Sequence, residues 1–254
     1  AGAGYSNYLW STGATTQTVN VGTAGPIAVT VTDIHGCVGT DNTSITVFNI
    51  PTAALSGIDT ICAGQSTSIT ANFGGAPGPD TYAYFDGAAN QGPFVTGAAV
   101  VNIPVTPGST STYTLVNVSN NNCAGTVSGQ ANISVTPLPT AQILGTTAIC
   151  NGDNTNISIN FTGVAPYTYS YTSGGTVFGP FTTNNDPEII NVTPSSTTVY
   201  GLTATVIGFG CTGNTNAATA TVTVNALPSA SITGNNTICA GTSTNLNFNF
   251  VGTG

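Results

Sequence analysis

The chain has 254 residues, no lysine, arginine or methionine, eight acidic residues, one histidine and a formal net charge of −8. Without a cationic side chain it cannot neutralise nucleic-acid phosphates, anionic lipid headgroups or a transferred phosphoryl group, so nucleic acid and nucleotides are excluded as partners. Because lysine and arginine ion pairs cannot form, the stability of the fold is predicted to be nearly independent of salt.

The polar positions are dominated by Thr, Ser, Asn and Gly, and the branched apolar positions by Val and Ile. This composition favours strands and turns over helices. There is no apolar run of about 18 residues and no charged amino-terminal signal region, so no membrane span or targeting segment is predicted. An all-β chain follows.

In chain order, residues 1–50 predict four short strands separated by turns. Trp10 is interpreted as an inward-facing aromatic side chain of the core and not as a ligand-stacking residue. His35, the only histidine, lies next to Gly36 and Cys37 and is interpreted as a turn residue. It has no counterpart in the complete repeats, and the cysteines are assigned to disulfides, so an acyl-transfer triad around this lone histidine is not expected.

A block of similar sequence begins at Pro51 and returns at Pro139 and Pro228. The three copies read PTAALSGIDTICAGQSTSITANF, PTAQILGTTAICNGDNTNISINF and PSASITGNNTICAGTSTNLNFNF, with a period of 88 and then 89 residues. This period is too long for a solenoid unit and close to the roughly 100 residues of an immunoglobulin-like sandwich. It predicts tandem Ig-like β-sandwich domains of about seven strands each.

The repeat sets four predicted domains. Residues 1–50 are the C-terminal part of a truncated Ig-like domain, residues 51–138 and 139–226 are complete repeats, and residues 227–254 are the N-terminal part of a truncated repeat. Each joint is an aliphatic residue followed by proline, which fixes its own backbone and extends the residue before it. We therefore expect an elongated, stiff rod.

Alternating residues in each copy predict a strand with one buried face, as in Ser68–Phe73. An aromatic strand follows, with tyrosines that either pack in the core, the preferred interpretation, or stack on sugars from an exposed face. Those tyrosines are Tyr82, Tyr84, Tyr167, Tyr169 and Tyr171. A Gly-Pro-Phe motif comes next in both complete repeats.

The six cysteines are spaced in step with the repeat. Cys62 and Cys123 are 61 residues apart, and so are Cys150 and Cys211. This spacing predicts one disulfide within each complete repeat, Cys62–Cys123 and Cys150–Cys211, and an oxidising compartment. Cys37 and Cys239 are then unpaired because their domains are truncated. A metal site is disfavoured because no close Cys or Cys/His pair has ligand spacing.

The carboxylates are scattered over positions that do not match between repeats. Calcium at the domain joints would need several converging oxygen ligands, and neither Asp186 with Glu188 nor Asp80 with Asp86 supplies enough. No paired acid and base is evident either. The sequence therefore predicts no metal, no cofactor and no enzymatic activity.

Four phrases, YLWSTGATTQTVNV, AVTVTDIHGCVGTD, TICAGQSTSIT and VTPGSTSTYTL, together with the repeat, resemble the Ig-like and PKD-like repeats of very large surface proteins of Bacteroidota. These proteins include gliding-motility adhesins exported by the type IX secretion system. The resemblance covers the whole chain and implies an extracellular filament or adhesin on a bacterial cell surface. In such bacteria Asp-Ser/Thr-aliphatic segments can accept O-glycans, so Thr60 within Asp59–Ile61 is either a glycan acceptor or an ordinary turn residue.

We therefore expect a structural and adhesive segment whose partners are neighbouring repeats of the same chain, laterally associated copies and surface polysaccharide. The alternatives are a glycan-binding sandwich module and a non-catalytic spacer of a secreted enzyme. The absence of Lys and Arg also removes every trypsin site.

Overall fold

The computed structural model describes residues 4–76, 78–234 and 237–252, which form strands, turns and bends. No helix in these ranges is long and apolar enough to cross a membrane. The first ten strands are β1 (Asn7–Trp10), β2 (Gly25–Thr32), β3 (Val38–Ile45), β4 (Thr52–Cys62), β5 (Thr67–Gly74), β6 (Asp80–Phe85), β7 (Asn90–Thr96), β8 (Val100–Val105), β9 (Ser111–Ser119) and β10 (Thr126–Thr136). The others are β11 (Thr140–Leu144), β12 (Thr147–Cys150), β13 (Thr155–Thr162), β14 (Tyr167–Ser173), β15 (Thr176–Thr183), β16 (Glu188–Val192), β17 (Thr198–Leu202), β18 (Thr205–Gly208), β19 (Cys211–Thr215), β20 (Thr219–Asn225), β21 (Ser229–Thr233) and β22 (Asn247–Val251).

These strands form four sheets. A three-stranded sheet has the order β1-β2-β3, and a seven-stranded sheet has the order β7-β6-β9-β10-β4-β5-β8. A ten-stranded sheet runs β12-β20-β17-β14-β18-β19-β11-β13-β16, with β15 paired to β14, and β21 pairs with β22. The prediction of an all-β chain is confirmed.

The strand order is that of an immunoglobulin-like sandwich. In the second complete repeat β11 pairs antiparallel with β13 and, at its first two residues, parallel with β19, while β12 runs parallel to β20. This is the divided first strand of Ig domains. In the same scheme β17 and β18 form strand F, and β19 and β20 form strand G. The chain therefore contains tandem Ig-like β-sandwiches.

The first complete repeat has the seven predicted strands, whereas the second has ten. The difference arises from interruptions within strands, because β4, β9 and β10 each correspond to two shorter strands in the second repeat. The break in the first strand falls at Gly145, whose φ of 122° lies in a region that L side chains rarely adopt.

The core of each sandwich lies under the alternating strands that the sequence indicates. Ile69 and Ala71 in β5, and Ile157 and Ile159 in β13, are completely buried. Burial of branched apolar side chains between two layers supplies the main stabilisation, at about 25 cal/mol per Å² of apolar surface. The core of the second repeat comprises Ala141, Ile143, Ile157, Ile159, Phe161, Tyr167, Tyr169, Val192, Tyr200, Val206, Ala220 and Val222.

The two terminal sheets are more open. Trp10 is half-buried, and its indole Nε1 donates a hydrogen bond to the carbonyl oxygen of Thr16 at 2.8 Å. In the two-stranded sheet Phe248 and Phe250, which the repeat predicts to be buried, are 59% and 79% exposed. The reason is that β21 and β22 pair only with each other among the described residues.

The chain divides into two compact units. The first comprises residues through Ile58, with Ser68–Val105 and Thr112–Asn132. The second comprises Asp59–Thr67, Thr106–Ser111 and the chain from Ile133 onward. The second unit therefore contains the second complete sandwich and three short segments that precede it in sequence.

Candidate functional site

The structure contains one disulfide among the described residues, and it joins Cys62 to Cys211 with a Cα–Cα distance of 5.6 Å. The predicted pairs Cys62–Cys123 and Cys150–Cys211 are therefore wrong. The bond spans 149 residues and links the first complete repeat to the second. Both cysteines belong to the second compact unit.

The two cysteines of one repeat lie at opposite ends of the sandwich. Cys150 is the register partner of Asn225, the last residue of β20, whereas Cys211 begins β19, at the other end of strand G. Strand G is long enough to keep them roughly 30 Å or more apart, and a disulfide needs Cα atoms within about 7 Å. An equal spacing of 61 residues could not reveal which end each cysteine occupies. The Ig strand order could have revealed it, because it places the turn after Cys150 and the turn before Cys211 at opposite ends of the sandwich.

Cys211 is positioned by a two-residue turn between β18 and β19. Phe209 and Gly210 both have positive φ, 46° and 81°, as the tightest hairpin turns require. Gly208 pairs directly with Cys211 across this turn. We call β18, the turn and β19 the F–G hairpin. The side chain of Cys211 is 3% exposed.

Cys62 is positioned by the end of β4 and a turn of its own. The Cys62 N–H donates to Gln65 Oε1 at 3.3 Å, and the Gln65 N–H donates to the Cys62 carbonyl at 3.0 Å. The Ala63 N–H donates to the carbonyl of Thr136, the last residue of β10, at 2.9 Å. Cys62 therefore lies beside the point where the first complete repeat ends.

The joint prolines are buried under strand G. Pro51 and Pro139 are among the fully buried residues. A Cβ at Gly213 would overlap the Pro139 carbonyl oxygen, and one at Gly125 would overlap that of Pro51. Glycine at these positions lets the backbone of strand G approach the proline. Each proline is thus held by packing against the sandwich that it opens.

Four cysteines are free. Cys37, Cys150 and Cys239 are exposed, and Cys123 is half-buried. Cys123 lies in the turn between β9 and β10, where its N–H donates to Asn120 Oδ1 at 2.8 Å. The free thiols include both members predicted to pair with Cys62 and Cys211.

Thr60, the predicted glycan acceptor, is exposed near the end of β4. Its N–H donates to Asp59 Oδ1 at 2.8 Å, and Thr67 Oγ1 donates to Asp59 Oδ2. The hydroxyl is accessible from solvent, and O-glycosylation there stays a prediction.

The residues weighed for catalysis and calcium binding have local structural roles. His35 is exposed, and its N–H donates to Asp33 Oδ1 at 2.8 Å, which closes a turn. Asp186 Oδ1 accepts the Phe161 N–H at 2.9 Å, and Glu188 Oε2 accepts the hydroxyl of Thr183 at 2.7 Å. The described residues contain no group of three or more His, Cys, Asp or Glu side chains that could hold a metal ion.

Most tyrosines of the predicted aromatic strands are buried in the core. Tyr82, Tyr167 and Tyr169 are at most 5% exposed. Burial raises the pKa of Tyr169 to about 12, with smaller effects from Glu188 and Tyr171. The tyrosine hydroxyl therefore stays protonated through the physiological range.

Phenylalanines of the neighbouring strand extend these aromatic clusters to the surface. Phe178 and Phe181 are each 42% exposed, and their rings stack on Tyr171 with centroids at 5.4 and 5.9 Å. In the first complete repeat Phe94 is 40% exposed and stacks on Tyr84 at 5.8 Å. We call Tyr171, Phe178 and Phe181, which all belong to the second compact unit, the aromatic face. The sequence showed the Gly-Pro-Phe motif but not its exposure.

Asp80 is the one acidic residue that is buried in the part of the chain that the structure describes. It is 5% exposed, and its Oδ1 has no hydrogen-bond partner. Burial raises the pKa of its carboxyl above the ordinary value of 3.8. The matching position in the second repeat is Tyr167, whose ring stacks on Phe161 at 4.5 Å. Asp80 is thus a buried carboxyl where the other repeat has an aromatic side chain.

No family model matches the chain, and no curated protein matches it in sequence. Among solved structures it is similar to the I-band fragment I67–I69 from titin, at 13% identity over 84% of this chain and 78% of that one, with a TM-score of 0.49. It is also similar to titin domains A168–A170, at 11% identity over 85% and 86% of the two chains (TM-score 0.40). The N-terminal four Ig domains of Dscam1 isoform 6.9 match at 11% identity over 87% and 65% (TM-score 0.33). The Ig-like assignment itself rests on strand order and pairing.

Proposed function

We propose that this chain is a structural and adhesive segment of a bacterial cell-surface filament or giant adhesin, serving as a stiff extracellular stalk. The observation that carries the proposal is the Cys62–Cys211 disulfide, which binds one repeat covalently to the next. A disulfide of this kind is typical of proteins that fold outside the reducing cytoplasm. The sandwich boundaries at residues 51–138 and 139–226, and no enzymatic activity, are part of the proposal.

Three further features support a stalk. The joint proline Pro139 is fully buried and has a fixed φ, so the backbone is rigid at the point where the second complete repeat begins. The chain has no Lys or Arg, so trypsin-like proteases outside the cell have no cleavage site. The quoted sequence phrases point to Bacteroidota, gliding motility and type IX secretion as the setting.

Surface labelling tests this function. An antibody raised against the chain should label intact cells of the producing bacterium, and labelling should disappear when surface proteins are shaved with a protease that cuts this chain. An in-frame deletion of residues 51–226 should leave the protein on the surface but weaken attachment of the cells to solid supports. Labelling that requires cell lysis would refute the proposal.

Glycan binding is a second candidate, and the aromatic face favours it. Exposed rings on one face of a strand can stack on the apolar faces of sugars. A glycan array should then show binding by the chain that is lost in the double variant Phe178→Ala/Phe181→Ala. Ile189→Ala, which removes another exposed apolar side chain (52% exposed), serves as the control. Equal signals from all three proteins would exclude this face as a glycan site.

A further inference from the structure

The Cys62–Cys211 bond joins cysteines at two different positions of the repeat. We call Cys62, Cys150 and Cys239 early cysteines, because each lies eleven residues after its repeat's opening proline, and Cys37, Cys123 and Cys211 late cysteines. The observed bond joins an early cysteine to the late cysteine of the next repeat, 149 residues away. In this register none of the four free cysteines has its partner position within the 254 residues.

The surface around Cys62 is covered. Cys62 itself is half-buried, Ile61 is 7% exposed, Thr136 is 8% exposed and Pro107 is buried. All four residues belong to the second compact unit, together with the F–G hairpin that carries Cys211. This end of the first complete repeat is therefore packed within the unit that contains the sandwich of the next repeat.

The matching surface of the second complete repeat is open. Cys150 and Asn225 are exposed, and Ile149 and Pro194 are half-buried, so each is more accessible than its counterpart. The backbone is nevertheless arranged in the same way, because the Asn151 N–H donates to the Asn225 carbonyl at 2.9 Å. The corresponding bond from Ala63 to Thr136 has the same length.

A concavity lies beside this open surface. It has a volume of about 460 Å³ and is lined in part by Ile149, Cys150, Asp153 and Asn225. The exposed thiol, the partly exposed isoleucine and the concavity together form what we call the Cys150 surface.

We propose that the Cys150 surface binds the F–G hairpin of a following copy of this repeat in the same chain, and that Cys150 forms a disulfide with the late cysteine of that copy. The inference rests on the proposed tandem array and extends the single observed bond to a bridge across each joint. The two thiols lose two protons and two electrons, and a disulfide oxidant such as oxidised glutathione accepts them by thiol–disulfide exchange and becomes two thiols.

A chain with one repeat duplicated tests the inference. A second copy of residues 139–227 is inserted after Leu227, which leaves every residue of the natural chain in place. The inserted copy carries Thr147→Ser and Thr212→Ser, both at exposed positions, so that its cysteine peptides differ in mass from those of the original copy. After oxidation with glutathione and blocking of thiols, chymotryptic peptides are mapped without reduction, because trypsin has no site.

We expect Cys62 to be bonded to the original Cys211, and the original Cys150 to the Cys211 of the inserted copy. The number of free cysteines should stay at four although two have been added. Cys150→Ser in the original copy should free the inserted Cys211 and leave the Cys62 bond intact. The Cys62 bond thus reports correct folding in the same molecule.

Three outcomes would overturn the inference. The original Cys150 could stay free, it could bond to Cys211 of its own copy, or it could link separate chains into reducible dimers. If the Cys62–Cys211 bond is present, each of these outcomes rejects the pairing of every early cysteine with the late cysteine of the next repeat. The proposed surface function would not be affected. Absence of the Cys62–Cys211 bond would also reject the inference, because the pairing between successive repeats is derived from that bond.

Discussion

At the scale of single residues, Asp80 is the place where the sequence conflicts with the fold. A carboxylate that is 5% exposed and has an unpartnered oxygen is destabilising when charged. Because burial raises its pKa above 3.8 in the folded state, the contribution of this carboxyl to the free energy of unfolding is most favourable at a pH where it is protonated. That stability is lost as the pH rises from about 3.8 through the raised pKa.

Asp80→Asn should therefore stabilise the first compact unit at neutral pH by about 1 kcal/mol, because the amide is uncharged. It should also flatten the fall in melting temperature between about pH 4 and pH 7. The measurement is thermal unfolding across that pH range.

Asp86→Asn is the matched control for Asp80→Asn. Hydrogen bonds from the Ala89 and Ala88 amides lower the pKa of Asp86, so its contribution is present above 3.8 and is lost as the pH falls through the lowered pKa. This variant should lower the melting temperature at neutral pH. If Asp80→Asn keeps the pH slope of the natural chain, the buried carboxyl does not set that slope.

Gly213 is a second residue whose identity is set by a neighbouring residue, because there is no space for a side chain. A Cβ there would overlap the Pro139 carbonyl oxygen, so Gly213→Ala should destabilise the second compact unit by about 3 kcal/mol. Gly108→Ala is the control, because Gly108 belongs to the same compact unit as Gly213. A Cβ at Gly108 would have no atom within 4 Å, and its φ is not in the positive region. Calorimetry of both variants tests the packing of the joint, and equal melting temperatures would contradict it.

At the scale of elements, strands and their buried faces were predictable, whereas the disulfide was not. Alternation in Ser68–Phe73 predicts β5 because strand side chains alternate in direction, a property of the local backbone. Disulfide pairing depends instead on which end of the sandwich each turn occupies, and that is set by strand order. Phe250 differs from its repeat equivalents for a related reason, since burial needs a second layer that the pattern of one strand does not supply.

Loss of the disulfide should be costly for the second compact unit. On the chain-entropy account, closing a loop of 149 residues stabilises the folded state by about 5 kcal/mol. Cys62→Ser should lower stability by a similar amount, and a reductant should do the same to the natural chain but add nothing in the variant. Denaturant unfolding with and without reductant measures both effects.

Cys37→Ser is the control for Cys62→Ser, because Cys37 is free and exposed. It should leave the unfolding midpoint unchanged and keep the sensitivity to reductant. A reductant that shifts the natural chain and Cys62→Ser equally would show that another bond is responsible.

At the scale of the whole molecule, the disulfide determines which residues carry tension. Strands β5 to β18 lie between Cys62 and Cys211, so a force applied to the two chain ends passes through the sulfur bridge and bypasses them. Most of both complete repeats is therefore protected from extension while the bond is intact. This protection would suit the proposed role as a stalk, which must keep its length under load.

Single-molecule stretching of the full chain makes this measurable. The bridge conceals 149 residues, which at roughly 3.5 Å per extended residue is about 520 Å of contour length. Stretching in the presence of a reductant should recover this length, because the sandwiches then unfold under tension. Cys62→Ser should show the longer extension with or without reductant, and Cys37→Ser should behave as the natural chain. An oxidised natural chain that extends as far as the reduced one would mean that tension does not pass through the bridge.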